Sequence, residues 1–525
     1  MKYKFTFFLL LPFLFLTAMA QTKQRPTLDD LMWGGTNYWN LQPPSVQTTW
    51  WGDALVQTNV NDVRLILDAK GKKLSADGQV LFDLAALNNV LDTARYGKAH
   101  NLIGTTFPEG TKTVAKITLA KAIIAYDWKQ KAIVWTLPLQ RGIGHQDFCN
   151  TSRSLAFTKD YNLFVTTSDG RTHQVSTDGN RELLYGTSVH RDEFGIHKGT
   201  FWSPKGDQLA FYRMDQSMVT DYPQVNTLVS PEVRIAQPDP DKYPMAGMAM
   251  HKVTVGIFSP ATDRTVWLEL GDVTDRYFTN LSWSPDGKTL YIMEVPRSQK
   301  RCDLVAYDAT TGKRLKTLYT ETNERFVEPQ NPLTFLPWDD HKFIYQSERD
   351  GFNHLYLFDT NGKMLRQLTQ GKFEVLDLLG FNTAKRSIIV RTNESGHIRE
   401  NLYTLDFKTG RRTLLDNGVG LHRASLSENG RYLRDTWSTP TDYRHIDIKS
   451  TEKKQTLSSL LNAENPWRNF TMPEVENGSI LAADGKTPLY YRLVKPVDFD
   501  PTKKYPAVVY VYGGPHATNV KESFN

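Results

Sequence analysis

Residues 202–212 of the chain read Trp-Ser-Pro-Lys-Gly-Asp-Gln-Leu-Ala-Phe-Tyr, and residues 283–292 repeat the pattern as Trp-Ser-Pro-Asp-Gly-Lys-Thr-Leu-Tyr-Ile. In each stretch an aromatic residue precedes a turn rich in Pro and Gly, and an apolar segment follows the turn. A turn between two short apolar segments is typical of a β-hairpin. Weaker copies of the pattern begin near Phe157, Leu336, Phe381 and Leu426.

The spacing of these copies indicates the fold class. Successive copies are separated by 45, 81, 53, 45 and 45 residues. Repeats of about 40 to 50 residues with strand-type sequence are typical of the four-stranded blades of a β-propeller. We therefore expect a mainly β chain with a seven- or eight-bladed β-propeller over about residues 55–460. The long interval predicts an insertion in one blade, around residues 218–250.

The composition agrees with a globular, β-rich chain and limits its partners. Of 525 residues, 40% are hydrophobic, 12% are aromatic and 23% are charged, and the net charge is +6. No block of Lys and Arg approaches the basic footprint of a nucleic-acid-binding protein, so we expect no nucleic-acid partner. The sequence has no Cys/His spacing typical of a metal site, and we expect neither a metal nor a cofactor. The two cysteines, Cys149 and Cys302, could form one disulfide or remain two separate thiols.

The beginning of the chain has the pattern of a secretory signal peptide over residues 1–20. Lys2 and Lys4 precede an apolar stretch, which ends at Thr-Ala-Met-Ala, a small-residue cleavage pattern closed by Ala20. The stretch is short for a membrane span, and an uncleaved anchor is the alternative. We expect an exported protein, periplasmic or extracellular, with no membrane span after cleavage. Asn280 begins an Asn-Leu-Ser sequon, which would matter only in a eukaryotic secretory pathway.

The sequence changes character after about residue 472. Residues 480–494 surround an Asp-Gly turn and predict a β-hairpin. A linker rich in Lys, Pro and Asp follows. Residues 507–512, Ala-Val-Val-Tyr-Val-Tyr, then form a continuous apolar run before Gly-Gly-Pro. Such a run predicts a buried strand of an α/β domain.

Several segments in this order resemble the dipeptidyl peptidase IV family, which belongs to the prolyl oligopeptidase superfamily of serine peptidases. They are Arg191-Asp192-Glu193-Phe194-Gly195 with the nearby Phe201-Trp202-Ser203-Pro204, then Lys242-Tyr243-Pro244-Met245-Ala246-Gly247, then Ser347-Glu348-Arg349-Asp350-Gly351-Phe352-Asn353-His354-Leu355-Tyr356, and finally Tyr505-Pro506 with Tyr512-Gly513-Gly514-Pro515.

The resemblance spans roughly residues 55–515 and implies a domain order. Residues 55–460 match the propeller of the family. Residues 472–525 match the start of its α/β-hydrolase domain, which is incomplete in this chain. Residues 21–54 are an N-terminal segment that packs on the hydrolase domain in the complete fold of the family.

The resemblance also implies site residues. In the family, two acidic residues on a short helical insertion of the propeller bind the free α-amino group of the substrate, and the matching residues are Asp192 and Glu193. This contact restricts the enzyme to the release of dipeptides. The family prefers Pro or Ala in the penultimate position, which is the second residue from the N-terminus of the peptide. The usual pair in the family is Glu-Glu, so Asp192 departs from the pattern and has the shorter side chain. Tyr512 matches the tyrosine whose hydroxyl stabilises the oxyanion of the tetrahedral intermediate. An arginine from an early blade contacts the substrate carbonyl in the family, and the sequence does not decide between Arg141 and Arg153.

Plainer interpretations of the same residues remain open. Residues 191–193 could be an exposed charged turn, and Tyr512 could be an ordinary core aromatic residue at a strand end. His190 and His197 flank the acidic pair, and we expect both to be polar residues of the surface or of a cavity wall.

The catalytic Ser, Asp and His of the family have no counterpart in this sequence. No G-x-S-x-G motif occurs, and the matching positions would lie beyond Asn525. We therefore expect a C-terminally truncated chain that is inactive alone, the substrate-selecting part of a secreted serine dipeptidyl peptidase. Its partners would be peptides with a free N-terminus, and the full-length form could be a homodimer. The alternative is a non-catalytic exported β-propeller that binds peptides or a protein partner.

Overall fold

The computed structural model describes residues 23–74, 78–514 and 516–524. The expected signal peptide, residues 1–20, lies outside these described residues. The chain divides into two compact units. The propeller unit contains residues 45–441, 445–462 and 521–524. The flanking unit contains residues 23–44, 442–444 and 463–520.

Among the described residues of the propeller unit, eight antiparallel sheets each form one blade. The predicted mainly β fold is confirmed, and the number of blades is eight. Blade 1 contains β1 (Thr48–Trp51), β2 (Ala54–Thr58), β3 (Asp62–Leu67) and β4 (Gln79–Asp83). Blade 2 has three strands, β5 (Val114–Thr118), β6 (Ala122–Asp127) and β7 (Ala132–Pro138). Two short helices, Leu84–Val90 and Thr93–Tyr96, connect blades 1 and 2. No helix in the described part of the chain is long and apolar enough to cross a membrane.

Blade 4 is the least regular sheet. Blade 3 before it contains β8 (Gly144–Cys149), β9 (Ser154–Lys159), β10 (Asn162–Thr166) and β11 (Thr172–Gln174). Blade 4 contains β12 (Leu183–Tyr185), β13 (Thr200–Trp202), β14 (Leu209–Asp215), β19 (Lys252–Ser259) and β20 (Arg264–Trp267). Between β14 and β19 lies the inserted arm, residues 216–251, with the two-residue strands β15 (Asp221–Tyr222), β16 (Val225–Asn226), β17 (Gln237–Pro238) and β18 (Asp241–Lys242). An insertion therefore occupies the long interval between sequence repeats.

The remaining blades each have four strands in simple sequential order. Blade 5 contains β21 (Arg276–Trp283), β22 (Thr289–Pro296), β23 (Arg301–Asp308) and β24 (Arg314–Thr322). Blade 6 contains β25 (Thr334–Leu336), β26 (Asp339–Ser347), β27 (His354–Asp359) and β28 (Met364–Gln367). Blade 7 contains β29 (Val375–Asn382), β30 (Ser387–Thr392), β31 (Asn401–Asp406) and β32 (Arg412–Leu414). Blade 8 contains β33 (Leu421–Leu426), β34 (Tyr432–Ser438), β35 (His445–Ser450) and β36 (Gln455–Asn462).

The hydrophobic core of the unit lies between the blades. A cluster of buried apolar side chains fills each of the eight interfaces between neighbouring blades. Central strands such as β6 and β22 are buried along almost their whole length because both faces of their sheets are covered. Such strands therefore read as continuous apolar runs rather than as alternating sequences.

The ring closes by contact between blade 8 and blade 1. Leu55, Ile66 and Leu67 of blade 1 pack with Ile448 of blade 8. The backbone N–H of Glu428 also donates to the carbonyl of Gly52 at 3.1 Å. No strand of blade 1 pairs with a strand of blade 8 in the described sheets, so the ring closes without an exchanged strand.

The sequence repeat marks one particular hairpin in most blades. The aromatic or leucine residue that begins each copy lies at the end of a strand or one residue before it. This strand is the first of its blade, except in blade 4, where it is β13. The turn of the repeat then leads into the next strand. The residues concerned are Trp202, Trp283, Leu336, Phe381 and Leu426. The copy at Phe157 differs, because it lies in β9, the second strand of blade 3. The first blade begins at Thr48, before the expected boundary at residue 55.

The flanking unit joins the beginning of the described chain to the segment after the propeller. Gln24 forms a parallel bridge with Phe470, and its N–H donates to the carbonyl of Asn469 at 2.9 Å. The unit contains the helix Leu28–Leu31, a 3-10 helix at Tyr38–Leu41 and one hairpin. The hairpin strands are β37 (Val475–Leu481) and β38 (Pro488–Val494), which matches the predicted hairpin.

The predicted buried strand at residues 507–512 is wrong for this structure. No strand is formed there, and Val508 to Tyr512 are between 64% and 99% exposed. A buried parallel strand needs hydrogen-bonding neighbours on both sides and helices on both faces. The described residues of the flanking unit contain only the β37–β38 hairpin as a sheet. The apolar run therefore has nothing in this unit to pair with.

The two cysteines are separate thiols. Cys149 and Cys302 are free and buried, in blades 3 and 5 respectively. Burial, together with the negative charge of Glu321, raises the pKa of the Cys302 thiol. Cys302 therefore packs as a small apolar side chain.

A buried histidine stabilises the junction of blades 7 and 8. His422 is inaccessible to solvent, and its Nδ1 lies 2.8 Å from Oδ2 of Asp435. Its Nε2 lies 3.0 Å from the carbonyl oxygen of Val419, which can only accept a hydrogen bond. Burial alone disfavours the charged imidazolium, but the hydrogen bond and charge of Asp435, with the charge of Asp416, outweigh it and raise the pKa of His422. Both ring nitrogens therefore donate when the histidine is protonated.

This arrangement predicts a pH-dependent contribution to stability. A raised pKa in the folded state means that the charged His422 stabilises the fold fully below its unfolded pKa, and that this contribution is lost as the pH rises through the folded pKa. His422→Gln should lower the free energy of unfolding by about 3 kcal/mol at pH 6. The deficit should shrink as the pH rises, as measured by urea unfolding at a series of pH values. His341→Gln, at an exposed histidine, should cause no such deficit. A deficit for His422→Gln that does not change with pH would contradict the assignment of a buried imidazolium.

Candidate functional site

The acidic pair lies on a loop inserted into the first strand of blade 4. Both β12 and β13 pair with the same edge of β14, so residues 186–199 interrupt what would otherwise be one strand. The two ends of this loop meet at Tyr212. Its carbonyl accepts from the N–H of Gly186, and its own N–H donates to the carbonyl of Gly199, both at 2.9 Å. A Cβ at Gly199 would lie 2.0 Å from the carbonyl oxygen of Thr187, so only glycine allows the loop to close.

The tip of the loop, residues 190–195, is called the acidic turn below. The resemblance implied a short helical segment here. The backbone instead forms a 3-10-type turn whose central residues, 191–194, do not have right-handed helical φ and ψ angles. His190, Arg191, Asp192 and Phe194 have φ values of 55°, 58°, 61° and 55°. Left-handed conformations cost non-glycine residues about 1–2 kcal/mol each and persist only where surrounding contacts enforce them. The turn is therefore a strained structure that its neighbours hold in place.

His190 anchors the turn from beneath. Its side chain is 1% exposed and forms part of the wall of a small cavity, so of the two expected locations, surface or cavity wall, it has the second. Its Nε2 accepts from the backbone N–H of Phe278 at 3.2 Å, and its Nδ1 lies 2.9 Å from Nε2 of His251. Because Nε2 of His190 accepts, Nδ1 carries the proton and donates to His251. Burial and the charge of His251 hold the pKa of His190 well below its usual range. Burial and the charge of Arg191 lower the pKa of His251 to about 4. Both rings are thus neutral at physiological pH.

The far end of the turn is fixed against blade 5. Phe194 is buried, and its ring packs edge-on against Tyr277 with 4.8 Å between ring centroids. Its carbonyl accepts from the Thr279 hydroxyl at 3.1 Å and from the Asn280 side-chain amide at 3.3 Å. Gly195 follows with φ +71°, and a Cβ there would lie 2.1 Å from the carbonyl oxygen of Gln330. The turn thus lies directly against the segment 328–330 that precedes blade 6.

The inserted arm supports the opposite side of the turn. Arg191 donates to Asp241 at 2.6 Å, and its guanidinium lies 4.7 Å from the ring centroid of Tyr243. Tyr243 and Pro244 line a cavity of about 90 Å³ together with Glu193 and His251. Arg191 therefore acts as a contact between the turn and the arm.

Of the two acidic residues, Glu193 is the one that lines the cavity of about 90 Å³. It remains accessible to solvent, but packing around its carboxyl group and the negative charge of Glu328 raise its pKa. Asp192 is exposed and lines neither of the two cavities beside the turn. The backbone changes from a left-handed conformation at Asp192 to an extended one at Glu193, with φ −61° and ψ 157°. The two neighbouring side chains therefore do not share one helical face.

A larger cavity of about 280 Å³ lies between blades 5 and 6. Its wall includes Glu328 and Pro329 from the segment beside the acidic turn, and Glu321, Tyr345 and Arg349 from the two blades.

Arg349 is packed among four aromatic rings. It donates to Glu321 at 2.8 Å and to the Tyr319 hydroxyl at 2.8 Å. The rings within reach of its guanidinium are those of Tyr319, Tyr345, Tyr356 and Phe358. These contacts leave Arg349 a rigid, charged part of the cavity wall.

The three propeller segments that carried the resemblance thus come together in space. The acidic turn contacts the arm segment at Tyr243 and lies against Gln330 at Gly195. The preceding residues Glu328 and Pro329 line one cavity with residues 347–349. The binding roles of Asp192 and Glu193 stay predictions. Sequence reasoning did not identify the contacts of His190 and Asn280 or the composition of the cavity wall. Their roles depend on partners far away along the chain. Arg153 pairs with Glu109 at 3.0 Å beside the ring of Trp135.

Tyr512 belongs to the flanking unit, lies outside any strand and is 64% exposed. Its proposed part in an oxyanion site stays a prediction. Among the described residues, no group of three or more His, Cys, Asp or Glu side chains is arranged to hold a metal ion.

The contact at Gly195 gives a direct test of how the turn is held. Gly195→Ala adds both a left-handed alanine and a clash with the Gln330 carbonyl, so it should lower the free energy of unfolding by roughly 3 kcal/mol or more. Gly271→Ala is the matched control, because Gly271 has φ +72° and open space around its Cβ position. This control should cost about 1–2 kcal/mol. Equal losses in urea unfolding for the two variants would show that the contact with Gln330 is not tight.

Comparison with known proteins identifies the family of the chain. A family model described as the dipeptidyl peptidase IV N-terminal region matches residues 110–443. The chain is 28% identical over 421 residues to Probable dipeptidyl-aminopeptidase B of Pyrenophora teres f. teres, covering 71% of this chain and 44% of the relative. It is 25% identical over 400 residues to Probable dipeptidyl peptidase 4 of Aspergillus clavatus, covering 73% and 52%. The chain spans about half the length of these curated relatives.

Two solved structures share the fold. A crystal structure from Bacteroides ovatus, described as a dipeptidyl aminopeptidase IV, has a TM-score of 0.86 and 40% identity, covering 95% of this chain and 71% of that one. Dipeptidyl peptidase 4 of Porphyromonas gingivalis has a TM-score of 0.77 and 23% identity, covering 96% of this chain and 72% of that one. At this identity the likeness shows only that the fold is shared. The region matched by the family model covers more than half of the chain and includes the acidic turn, the inserted arm and residues 347–356. The chain therefore belongs to the dipeptidyl peptidase IV family.

Proposed function

We propose that this chain is the substrate-selecting part of an exported serine dipeptidyl peptidase that removes dipeptides from the N-termini of peptides. The observation that carries the proposal is the position of Glu193. Its accessible carboxylate lies on a strained turn, and Tyr243 and Pro244, which line the adjoining cavity, come from a segment that resembles the family. Costly backbone geometry maintained beside a cavity is typical of a functional site.

The chemistry of Glu193 suits the capture of an amino group. An ionised carboxylate and a peptide ammonium form charge-assisted hydrogen bonds, which are about twice as strong as neutral ones. Burial and the charge of Glu328 raise the pKa of Glu193, so its charged form is disfavoured by its surroundings. An incoming ammonium would compensate this charge. Asp192, with its shorter and more exposed side chain, would act as a secondary contact.

Capture of the amino end would also set the length of the product. A peptide held by its free ammonium at Glu193 could place its first side chain in the cavity of about 280 Å³, between Glu328 and Tyr345. The bond to be cut would then lie at a fixed distance from the propeller, so that dipeptides are released. A penultimate Pro or Ala is the preference proposed here from the family resemblance.

Cleavage itself would require groups that this sequence does not contain. The Tyr512 hydroxyl is proposed as an oxyanion donor, while the nucleophilic Ser and its Asp and His partners are absent from the sequence. The chain alone is therefore proposed to bind peptides without hydrolysing them. The signal-peptide pattern at residues 1–20 supports export to the periplasm or the extracellular space.

A binding measurement tests the role of Glu193. A peptide that begins Ala-Pro and carries a C-terminal fluorophore should bind more tightly than its N-acetylated form, because acetylation removes the ammonium. Glu193→Gln should weaken binding of the free peptide about 10- to 100-fold, as expected for one hydrogen bond between charged groups. Binding of the acetylated peptide should not change. Fluorescence anisotropy at pH 7 provides both dissociation constants.

Two controls sharpen this test. Asp192→Asn should have a smaller effect than Glu193→Gln. Glu232→Gln, at a residue of the arm whose carboxylate accepts from the nearby Ser230 hydroxyl, should have none. If the wild-type chain bound free and acetylated peptides equally well, amino-group capture would be refuted. A propeller that instead binds an unrelated protein partner would then be the better description.

A further inference from the structure

We propose that Asn280 is a positioning residue, which fixes the distance between the acidic turn and the wall of the larger cavity. The proposal rests on the function proposed for Glu193, because it concerns how that carboxylate is held relative to the rest of the site. Asn280 itself lies in blade 5 and belongs to neither of the segments that it connects.

The backbone around Asn280 is shaped to present its side chain. Asn280 interrupts the pairing of β21 with β22, whose register shifts between Thr279 and Ser282. Its φ is 54°, a left-handed conformation that Asn tolerates better than most residues. A bulge of this kind redirects one side chain out of the regular alternation of a strand. Here it directs the carboxamide into the space between two loops.

The amide of Asn280 connects those two loops. One nitrogen, Nδ2, donates to the carbonyl of Phe194 at 3.3 Å and to the carbonyl of Pro329 at 2.7 Å. Phe194 directly follows Glu193, and Pro329 directly follows Glu328. A carboxamide NH₂ has two donors at a fixed angle, so one side chain can satisfy both carbonyls. A hydroxyl has one donor and a carboxylate has none, so neither could replace this contact.

Neighbouring contacts make the connection rigid. The hydroxyl of Ser282 donates to the carbonyl of Asn280 at 3.0 Å and accepts from the N–H of Leu333 at 3.0 Å. Asn280 is 8% exposed, so water is largely excluded from these bonds. In addition, Gly195 lies against the carbonyl of Gln330. The acidic turn and residues 328–330 are therefore held side by side at two successive positions, Phe194 with Pro329 and Gly195 with Gln330.

This arrangement has a consequence for the two carboxylates. Glu193 and Glu328 carry like charges, and the charge of Glu328 contributes to the raised pKa of Glu193. Without a fixed connection, two like charges on adjacent loops would move apart. Asn280 holds them in proximity, which keeps the Glu193 carboxylate poised for an incoming cation. Asn280 begins a sequon, but it is an unsuitable acceptor for a glycan because its side chain is buried and its amide already donates to two carbonyls.

The test replaces the amide without adding charge or backbone strain. Asn280→Gly keeps the left-handed conformation and removes both donors. For the peptide that begins Ala-Pro, the ratio of the dissociation constants of the acetylated and free forms should fall at least about tenfold. Binding of the free peptide should also persist to lower pH than in the wild type, because the pKa of Glu193 falls towards its ordinary value once the loops separate. General loss of stability would not move this midpoint.

Two control variants separate positioning from stability. Thr279→Val removes only the hydroxyl bond to Phe194 and should retain most of the selectivity. Asn382→Ala removes a buried amide in blade 7, which donates to Thr451 at 2.9 Å. It should lower the stability while leaving the ratio and the pH midpoint unchanged. A folded Asn280→Gly chain with wild-type ratio and midpoint would overturn the proposal.

Hydrogen exchange distinguishes failure of this inference from failure of the proposed function. In Asn280→Gly, amide exchange should accelerate at residues 190–196 and at residues 328–333 together, with no peptide present. If the wild type shows no preference for a free amino group, the proposed function fails, and the exchange data still decide whether Asn280 connects the loops. Unchanged exchange in either segment would contradict the connection itself.

Discussion

A sheet that is apolar on both faces is not stable alone in water, and this constraint organises the propeller unit. Each blade covers one face of the next, and the buried clusters between blades form a closed series of eight. Hydrophobic burial contributes roughly 25 cal/mol for each Å² of apolar surface, so these interfaces supply the main driving force for the unit. Removing one interface would expose two apolar faces. The last blade must therefore pack on the first.

This stable ring allows one costly element to exist. The acidic turn places several residues in left-handed conformations, and nothing in its local sequence except Gly195 favours them. Its geometry follows from contacts with blade 5, the inserted arm and residues 328–330. Blade 4 contributes by dividing its first strand into two pieces, so that the loop emerges from the ring itself. The rigid ring thus supports a strained turn that carries the carboxylate proposed to bind the substrate.

The sequence predicts those features that depend on neighbouring residues. Pro/Gly turns after an aromatic residue identify the hairpins, because turn geometry is a local property. The resemblance singled out Glu193 because it rests on short motifs, and the binding role of this residue stays a prediction. The role of His190 could not be predicted, because its partners His251 and Phe278 lie 61 and 88 residues away along the chain. The contacts of Asn280 could not be predicted for the same reason, because Phe194 and Pro329 lie 86 and 49 residues away along the chain. The apolar run at residues 507–512 failed as a prediction because burial depends on neighbouring strands and not on the run itself.

The way the ring closes has a consequence for its history. Every blade is built from one continuous stretch of the chain. In the residues that the structure describes, the first and last blades meet through side chains and loop contacts, without strand pairing. The hydrogen bonds within the described sheets therefore do not depend on which blade comes first along the chain. A circular permutation that began between two other blades would cut no sheet and would keep blades 4, 5 and 6 adjacent. Such a ring can grow or rearrange by duplication of whole blades, while the site retains the three neighbouring blades that it requires.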